Sequence, residues 1–377
     1  MGKYIIPTLP LPYDLETKAI LKQVNRSNQR LAELKGVART IPNEGILISS
    51  LTLQEAKDSS AVENIVTTQD DLYKAGLEEH IYNIDAATKE VLRYKEAIMG
   101  GFIVVRSKHL LTGNIIKEVQ QSLINNNEGF RTVPGTKLIS SVDGEVVYTP
   151  PQDIDEIVKL MNNLELFIND DAICDFDPLV KMAIIHHQFE SIHPFGDGNG
   201  RTGRILNILY LVYTGLLDLP ILYLSRYVTH NKGEYYRLLQ AVRNKNTENE
   251  KEWREWIMFI LKGVEETSEY TINLIKGISE LMSTYKNELR PVFGRKYKHE
   301  LLNNLFFHPY TKIEFMQRDL LVSRNTAAKY LDDIVNMGLL VKTKKGKENY
   351  YVNKNLMNLF VSKGEYHNNT DTIVTTT

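Results

Sequence analysis

The stretch HPFGDGNGRTGR, residues 193 to 204, constrains the fold of this 377-residue chain more than any other. The segment before it, PLVKMAIIHHQFESI, is helix-patterned. A residue that precedes proline is disfavoured in the right-handed helical region, so that helix must end at or before His193, with His193 expected in an extended conformation. The glycines then let the backbone turn sharply and approach a ligand closely. From about Arg201, RTGRILNILYL restarts a helix. Two helices joined by a tight glycine turn follow from these residues, and the second opens with free N–H groups and a positive dipole end, which together make an anion site.

Most of the remaining chain is helical in pattern. Residues 14 to 37 carry Leu15, Ile20, Leu21, Val24, Leu31 and Leu34 at near-helical spacing, and ARTIPNEG closes that unit. Residues 51 to 66 and 70 to 99 read as further helices, and GFIVVRSKHLLTGNIIKEVQQSLI continues the pattern with a break expected at Gly113. One region differs. Residues 129 to 151, GFRTVPGTKLISSVDGEVVYTPP, alternate around Asp143-Gly144, a hairpin signal inside a helical domain. Helical patterns resume with DIDEIVKLMNNLELFI and run to about residue 289, past the polar segment RNKNTENEKEW. RPVFGRK then marks an expected boundary, and HNNTDTIVTTT at the end lacks any apolar period.

Composition excludes several classes. A net charge of −2 gives no global pull toward nucleic acid or membrane, so any basic surface must be local. The single cysteine, Cys174, rules out an intrachain disulfide and a cysteine-based zinc site, and suits a cytoplasmic protein. It is expected to be a small buried residue. The apolar run at 205 to 224 is interrupted by Asn207, Gly215, Asp218 and Pro220, so it reads as a buried helix, a turn and a short element rather than a membrane span. The N-terminal MGKYIIPTLPLPYDLE has prolines where a signal peptide needs a continuous apolar run.

Three known patterns fit the glycine-rich stretch only in part. GNGRTG matches G-x-G-x-x-G, but no strand precedes it and no βαβ alternation follows. DGNG opens like a calcium loop, yet Arg201 and Thr202 fall at positions that need other residues, and position twelve is Ile208. A phosphate loop would need Gly-Lys-Ser/Thr at its end. The chemistry of the residues themselves remains. Arg201 and Arg204, three apart, share a helix face and can fork onto phosphate oxygens. Asp197 beside a polyphosphate suits Mg²⁺, which takes few carboxylates plus phosphate oxygens. His193 can accept a proton near neutral pH. The set reads as phosphoryl or nucleotidyl transfer.

HPFGDGNGR matches the whole motif of the Fic family, TGR extends it with the family's second arginine, and the preceding IIHHQFESIHPF is also similar. The resemblance covers about residues 1 to 265, and the remainder in general pattern only. It implies a mainly α protein with an N-terminal helical region (1–95) and a Fic-type helical core with a β-hairpin flap (96–290); beyond these the residues read as a winged-helix-like domain (291–362) and a disordered tail (363–377). It further implies transfer of AMP from ATP to a Tyr, Thr or Ser hydroxyl of a target protein, with His193 as general base. Asp197 would hold Mg²⁺ against the α- and β-phosphates. Asn199 and the amides around Gly198 and Gly200 would line the cradle, which runs on through Thr202 and Gly203. Arg201 and Arg204 would grip the β- and γ-phosphates, and Phe195 would anchor the loop.

By the same resemblance, TKLISSVDGEVVYT is the flap, whose open edge could add a target segment as an extra strand. SSAVEN, residues 59 to 64, fits the family's inhibitory pattern [S/T]-x-x-x-E-[G/N], with Ser59 and Glu63 in the fixed positions. Glu63 against Arg204 would occupy the guanidinium that should bind the γ-phosphate. Tyr236, and less so Tyr235, falls where the family closes its adenine pocket. His186 and His187 are read as structural, and Glu190 as orienting the loop or capping a helix end.

The C-terminal part carries a rival reading. Residues 311 to 348 hold eight Lys or Arg against five Asp or Glu, a local +3. LLVSRNTAAKYLDDIVNMGLL resembles the second half of a winged helix-turn-helix, with Ser323 to Thr326 opening a recognition helix and KTKKGK as the wing. Such a domain could bind DNA, or act as a dimer or protein-interaction module beside a Fic core that merely senses.

Overall fold

The computed structural model describes residues 4–75, 84–139, 144–244, 249–345 and 348–362. The chain divides into two compact units, residues 1–272 and 273–377. The first is helical. Helix α1 (Lys18–Ala38) starts where the Thr17 side chain accepts the Ile20 N–H, and α2 (Glu44–Val62) where Asn43 accepts that of Gly45. These side-chain caps satisfy donors that a helix start leaves orphaned. Next come α3 (Gln69–Ala75), α4 (Ala86–Lys108) and α5 (Gly113–Ile124). The sequence placed a break at Gly113. Instead α4 ends at His109 in a left-handed cap, and Gly113 opens α5 behind the Thr112 cap.

A hairpin of β1 (Leu138–Ile139) and β2 (Val146–Tyr148) follows, antiparallel with Leu138 opposite Tyr148. Of the expected turn, Asp143 lies outside the described residues, while Gly144 has a φ of 73°. Then come α6 (Ile154–Asn169), α7 (Pro178–Ile192), α8 (Asn199–Tyr213), α9 (Leu224–His230), α10 (Lys232–Val242) and α11 (Glu250–Phe293). Helix α7 begins behind an Asp177 cap with Pro178 in its first turn, where the missing N–H costs nothing.

Helices α7 and α8 form the centre. Every residue of α7 from Leu179 to Ile192 is buried, and so is α8 from Arg201 to Leu211. A helix buried on every face must be surrounded by others; α6 packs on α7, and α4 and α5 on α8. Helix α2 is likewise enclosed, against α4 and α9, yet it buries Gln54, Glu55, Ser59 and Ser60. Those polar groups must find partners inside the protein.

The second unit takes in the end of α11, α12 (His299–Phe307), β3 (Tyr310–Thr311), α13 (Ile313–Leu320), α14 (Arg324–Asn336), β4 (Val341–Lys345), β5 (Glu348–Val352) and α15 (Lys354–Ser362). The strands form one antiparallel sheet in the order β3-β5-β4. Residues 346 and 347, at the tip of the expected wing, lie outside the described residues, as does the tail from 363. Tyr285 on α11 donates to the Leu339 carbonyl at 2.8 Å and bonds Asn353 Oδ1 at 2.9 Å. Among the described residues, no helix is long and apolar enough to cross a membrane.

Candidate active site

The turn between α7 and α8 is where the sequence placed the chemistry. Helix α7 does end at Ile192, but His193 is left-handed (φ 49°, ψ 58°) rather than extended, and its N–H returns to the Phe189 carbonyl at 2.9 Å. The rule for residues before proline excludes only the right-handed helix, and a C-terminal cap of this type needs the left-handed region. A non-glycine residue held there costs about 1–3 kcal/mol unless its surroundings fix it. They do. Phe195 is fully buried, its ring 5.4 Å from that of Phe130 and 6.2 Å from that of Phe189. The Asn199 amide accepts the Phe195 N–H at 2.9 Å and donates to its carbonyl at 2.8 Å, closing the loop on itself. That employs the Asn199 side chain within the loop and leaves its backbone for the cradle.

Gly198 precedes α8 at φ 76°, and a side chain there would also meet Ile124 at 2.7 Å. Helix α8 therefore starts at Asn199, two residues earlier than expected. The first helical bond of the turn comes from Thr202 to the Gly198 carbonyl at 2.9 Å, so the N–H groups before it point to the open end. Thr202 is buried, and the absent side chain of Gly203 gives Glu190 room, since a Cβ there would stand 2.7 Å from Glu190 Oε1.

His193 lies at one end of the turn. Burial pushes its pKa down to about 3, and the Arg243 and Arg131 charges add to this, partly opposed by Glu63. The imidazole is therefore neutral at pH 7 and able to take a proton. His186 and His187 are core residues, as the sequence suggested. His186 Nε2 meets the Tyr235 hydroxyl at 2.9 Å, its ring stacked 5.8 Å from Trp256, and His187 sits edge-on to Trp253.

The two arginines occupy the other end. Arg204 is 3% exposed and donates from Nη2 to Glu63 Oε1 at 2.9 Å, from Nε to Ser59 Oγ at 2.7 Å, and from Nη2 to the Ser59 carbonyl at 2.9 Å. A Cβ on Gly200 would stand 2.4 Å from Glu63 Oε1, so the glutamate carboxylate lies directly over the first turn of α8. Partial burial alone would raise the Glu63 pKa, but Arg204 outweighs it and holds the carboxyl below its ordinary value. Arg201, 5% exposed, donates to Glu90 Oε2 on α4 at 2.8 Å and lies 3.8 Å from Asp197.

Asp197 is exposed (71%) and accepts the Gly198 N–H at 2.6 Å. An exposed hard carboxylate beside an anion cradle fits Mg²⁺, which keeps most of its waters and shares phosphate oxygens. Among the described residues no group of three or more His, Cys, Asp or Glu could hold a metal alone, so any ion here would depend on substrate oxygens. Tyr236 is 41% exposed and sits edge-on to the buried Tyr235, 5.2 Å between centroids.

Three charged residues, Glu55, Glu90 and Arg131, carry parts that the sequence did not assign, while Glu190, read there as orienting the loop or capping a helix end, lies against Gly203. Glu190 is buried, with a pKa pushed up to about 7 by burial against the pull of Arg204. Glu55 on α2 is also buried. It accepts the Ser225 N–H at 3.0 Å and the Tyr94 hydroxyl at 3.2 Å, and burial raises it to about 7. Glu90 and Arg131 complete the set. None has a local signal, since each partner is brought by packing from another helix or loop.

In the second unit, Ser323 caps α14 and accepts the Thr326 N–H at 3.2 Å. Arg324 pairs with Glu314 at 2.6 Å, Lys329 with Asp333 at 3.0 Å and Lys342 with Asp332 at 2.7 Å. Arg324 and Lys342, which belong to the expected nucleic-acid face, thus each meet a carboxylate within the unit.

Three family models match the chain: the Fic/DOC family N-terminal model over residues 21–103, the Fic/DOC family model over 110–211, and the C-terminal domain of protein adenylyltransferase SoFic-like over 281–356. Protein adenylyltransferase Fic of Aedes aegypti is 25% identical over 286 residues, 72% of this chain and 52% of that protein. Protein adenylyltransferase fic-1 of Caenorhabditis elegans is 25% identical over 144 residues, 37% of this chain and 26% of that protein. The chain thus spans about half the length of the first and a quarter of the second. A Fic family protein from Desulfovibrio desulfuricans has a similar structure, with a TM-score of 0.57 at 17% identity over 90% of this chain and 97% of that one. Fic-1 from C. elegans gives 0.51 at 19% identity over 68% and 73%. At these identities the likeness is one of fold.

Proposed function

We propose that this chain, which belongs to the Fic/DOC family, moves AMP from ATP to a Tyr, Thr or Ser hydroxyl of a protein, itself included. His193 takes the hydroxyl proton while the oxygen bonds to the α-phosphorus. The bond from that phosphorus to the bridging oxygen breaks, and pyrophosphate leaves with its electrons. The neutral imidazole supports the first role. The N-terminus of α8, with Arg201 and Arg204, supports the second, because positioning and charge stabilisation supply most of the rate in such transfers. The residue to hold Mg²⁺ is Asp197, and the ion would neutralise charge on the phosphates. Tyr236 borders the adenine, and the β1–β2 edge receives the target segment.

The observation that carries this reading is the seat of Glu63. Its carboxylate lies over Gly200 and on Arg204, so an anion already fills the cradle. It follows that the resting enzyme is held off, with Ser59 and Glu63 as the block. The test is incubation with Mg²⁺ and α-labelled ATP, comparing wild type with Glu63→Gly. Weak self-labelling in wild type and strong labelling of the variant are expected. If neither ATP nor another labelled nucleoside triphosphate labels any protein with Glu63→Gly, the reading is wrong.

A further inference from the structure

Arg131 stands ahead of the hairpin, outside the glycine-rich motif, and is 7% exposed. Its guanidinium forks. Nε donates to the His193 carbonyl at 2.9 Å, and Nη2 donates to the Pro151 carbonyl just beyond β2. Its backbone N–H meets the Pro194 carbonyl at 2.9 Å. One residue thereby joins three places: the segment entering the hairpin, the segment leaving it, and the His193–Pro194 turn. Neighbouring contacts share this direction. Phe130 packs on Phe195, and the Tyr148 hydroxyl of β2 donates to the Ser191 carbonyl at 2.7 Å. Arg243 lies over the Tyr148 ring at 4.1 Å and donates to Ser191 Oγ at 3.1 Å.

We propose that Arg131 is the positioning residue for His193, tying both feet of the hairpin to the left-handed turn that carries the base. Resting on the transferase reading above, this adds a part that the motif does not contain. The physical need is clear. His193 holds a costly backbone conformation, and a turn of that kind persists only where its carbonyls are pinned. The planar fork of an arginine reaches two separated carbonyls from different nitrogens in fixed geometry, whereas a lysine must reach both from one nitrogen on a flexible stem. Since the same fork holds the hairpin, a target strand seated on its edge and the base that must meet its hydroxyl share one anchor. The charged groups acting on the His193 ring are Arg243, Arg131 and Glu63, so the anchor also helps to keep the ring neutral.

The test uses the full chain carrying Glu63→Gly, to which Arg131→Gln and Arg131→Lys are added. Steady-state transfer should show kcat falling about 100-fold in both, the cost of a base displaced by about 1 Å, with KM for ATP within about 3-fold of the parent. Histidine NMR, with His193 assigned by its loss in His193→Ala, should show the ring titrating at higher pH in Arg131→Gln but not in Arg131→Lys, which keeps the charge. A merely structural residue would move neither the midpoint nor the split between kcat and KM in this way. The proposal is overturned if kcat stays within about 3-fold of the parent, or if the loss lies in KM for ATP. Should the Glu63→Gly parent transfer nothing, the transferase reading fails by itself, and the NMR arm still decides: an unchanged His193 midpoint and line width in Arg131→Gln overturns the positioning role. If Arg131→Gln does not fold, Arg131→Lys carries the kinetic arm alone, and full activity there overturns the proposal.

Discussion

The two ends of one twelve-residue turn are prepared in opposite ways. At the His193 end, every contact assembles the site: the Arg131 fork, the Phe195 anchor and the Asn199 clamp hold a strained residue in place. At the arginine end, the contacts from other helices occupy it: Glu63 and Ser59 on Arg204, and Glu90 on Arg201. The site is thus built at the base and filled at the phosphates. Under the proposed function, control falls on substrate entry rather than on assembly of the base. A carboxylate can be displaced by a better anion, whereas a broken turn would have to refold.

The largest expected effect breaks the built end. In the Glu63→Gly background, His193→Ala should lower transfer by about 10³-fold, the usual worth of a positioned base. Labelling that persists at the parent level would remove His193 from that role. The next effect opens the filled end. Glu63→Gly should raise transfer on the order of 10- to 100-fold over wild type, the coupling expected of a removable block. Equal rates in the two proteins would show that Glu63 blocks nothing.

These two effects concern residues that are legible in the sequence, and the reason is locality. Residues 193 to 204 are contiguous, so spacing alone puts base, cradle and arginines together. Ser59 and Glu63 are four apart on one helix face and were legible as a pattern, although only packing could bring them to Arg204, more than 140 residues away. Glu90, Arg131 and Glu55 have no such pattern. Their partners lie 111, 62 and 170 residues distant, and an isolated acid or base reads as part of a solvated surface. The backbone of His193 failed for a different reason. The residue before proline has two permitted regions, and the choice between them was made by the Phe189 carbonyl that its N–H must satisfy.

A smaller effect separates the two carboxylates that meet the arginines. Glu90 retains 34% exposure and makes one bond to Arg201, against three polar contacts on Arg204. Water reaching Glu90 screens this pair, so its net worth is on the order of 1 kcal/mol. Glu90→Gln in the Glu63→Gly background should therefore change KM for ATP by only about 2- to 5-fold, with kcat retained. A drop in KM means that Glu90 competes with phosphate; a rise means that it orients Arg201 for phosphate. A tenfold or larger fall in kcat would contradict both, and with them the division of the turn into a built end and a filled end.

The smallest effect concerns how firmly the cover itself is seated. Helix α2 ends on Glu63, its C-terminal cap residue, and is fastened inside the protein by Glu55, whose carboxyl burial pushes from the ordinary 4.5 to about 7. A folded-state pKa above the unfolded one means that the folded chain holds a proton the unfolded chain has released. Stability therefore falls as pH rises from about 4.5 to 7 and levels off above that, by on the order of 3 kcal/mol at full ionisation. Glu55→Gln cannot ionise, yet its amide oxygen can still accept the Ser225 N–H. Its Tm should gain on wild type by a few °C between pH 5 and pH 8, whereas Glu63→Gln should stay parallel to wild type over that range and gain on it only below about pH 4.5. Glu63 sits below its ordinary value, so its contribution is present above about pH 4.5 and lost on acidification. Parallel Tm curves for wild type and Glu55→Gln across that window would mean that Glu55 titrates normally, and that α2 is held by its apolar face alone.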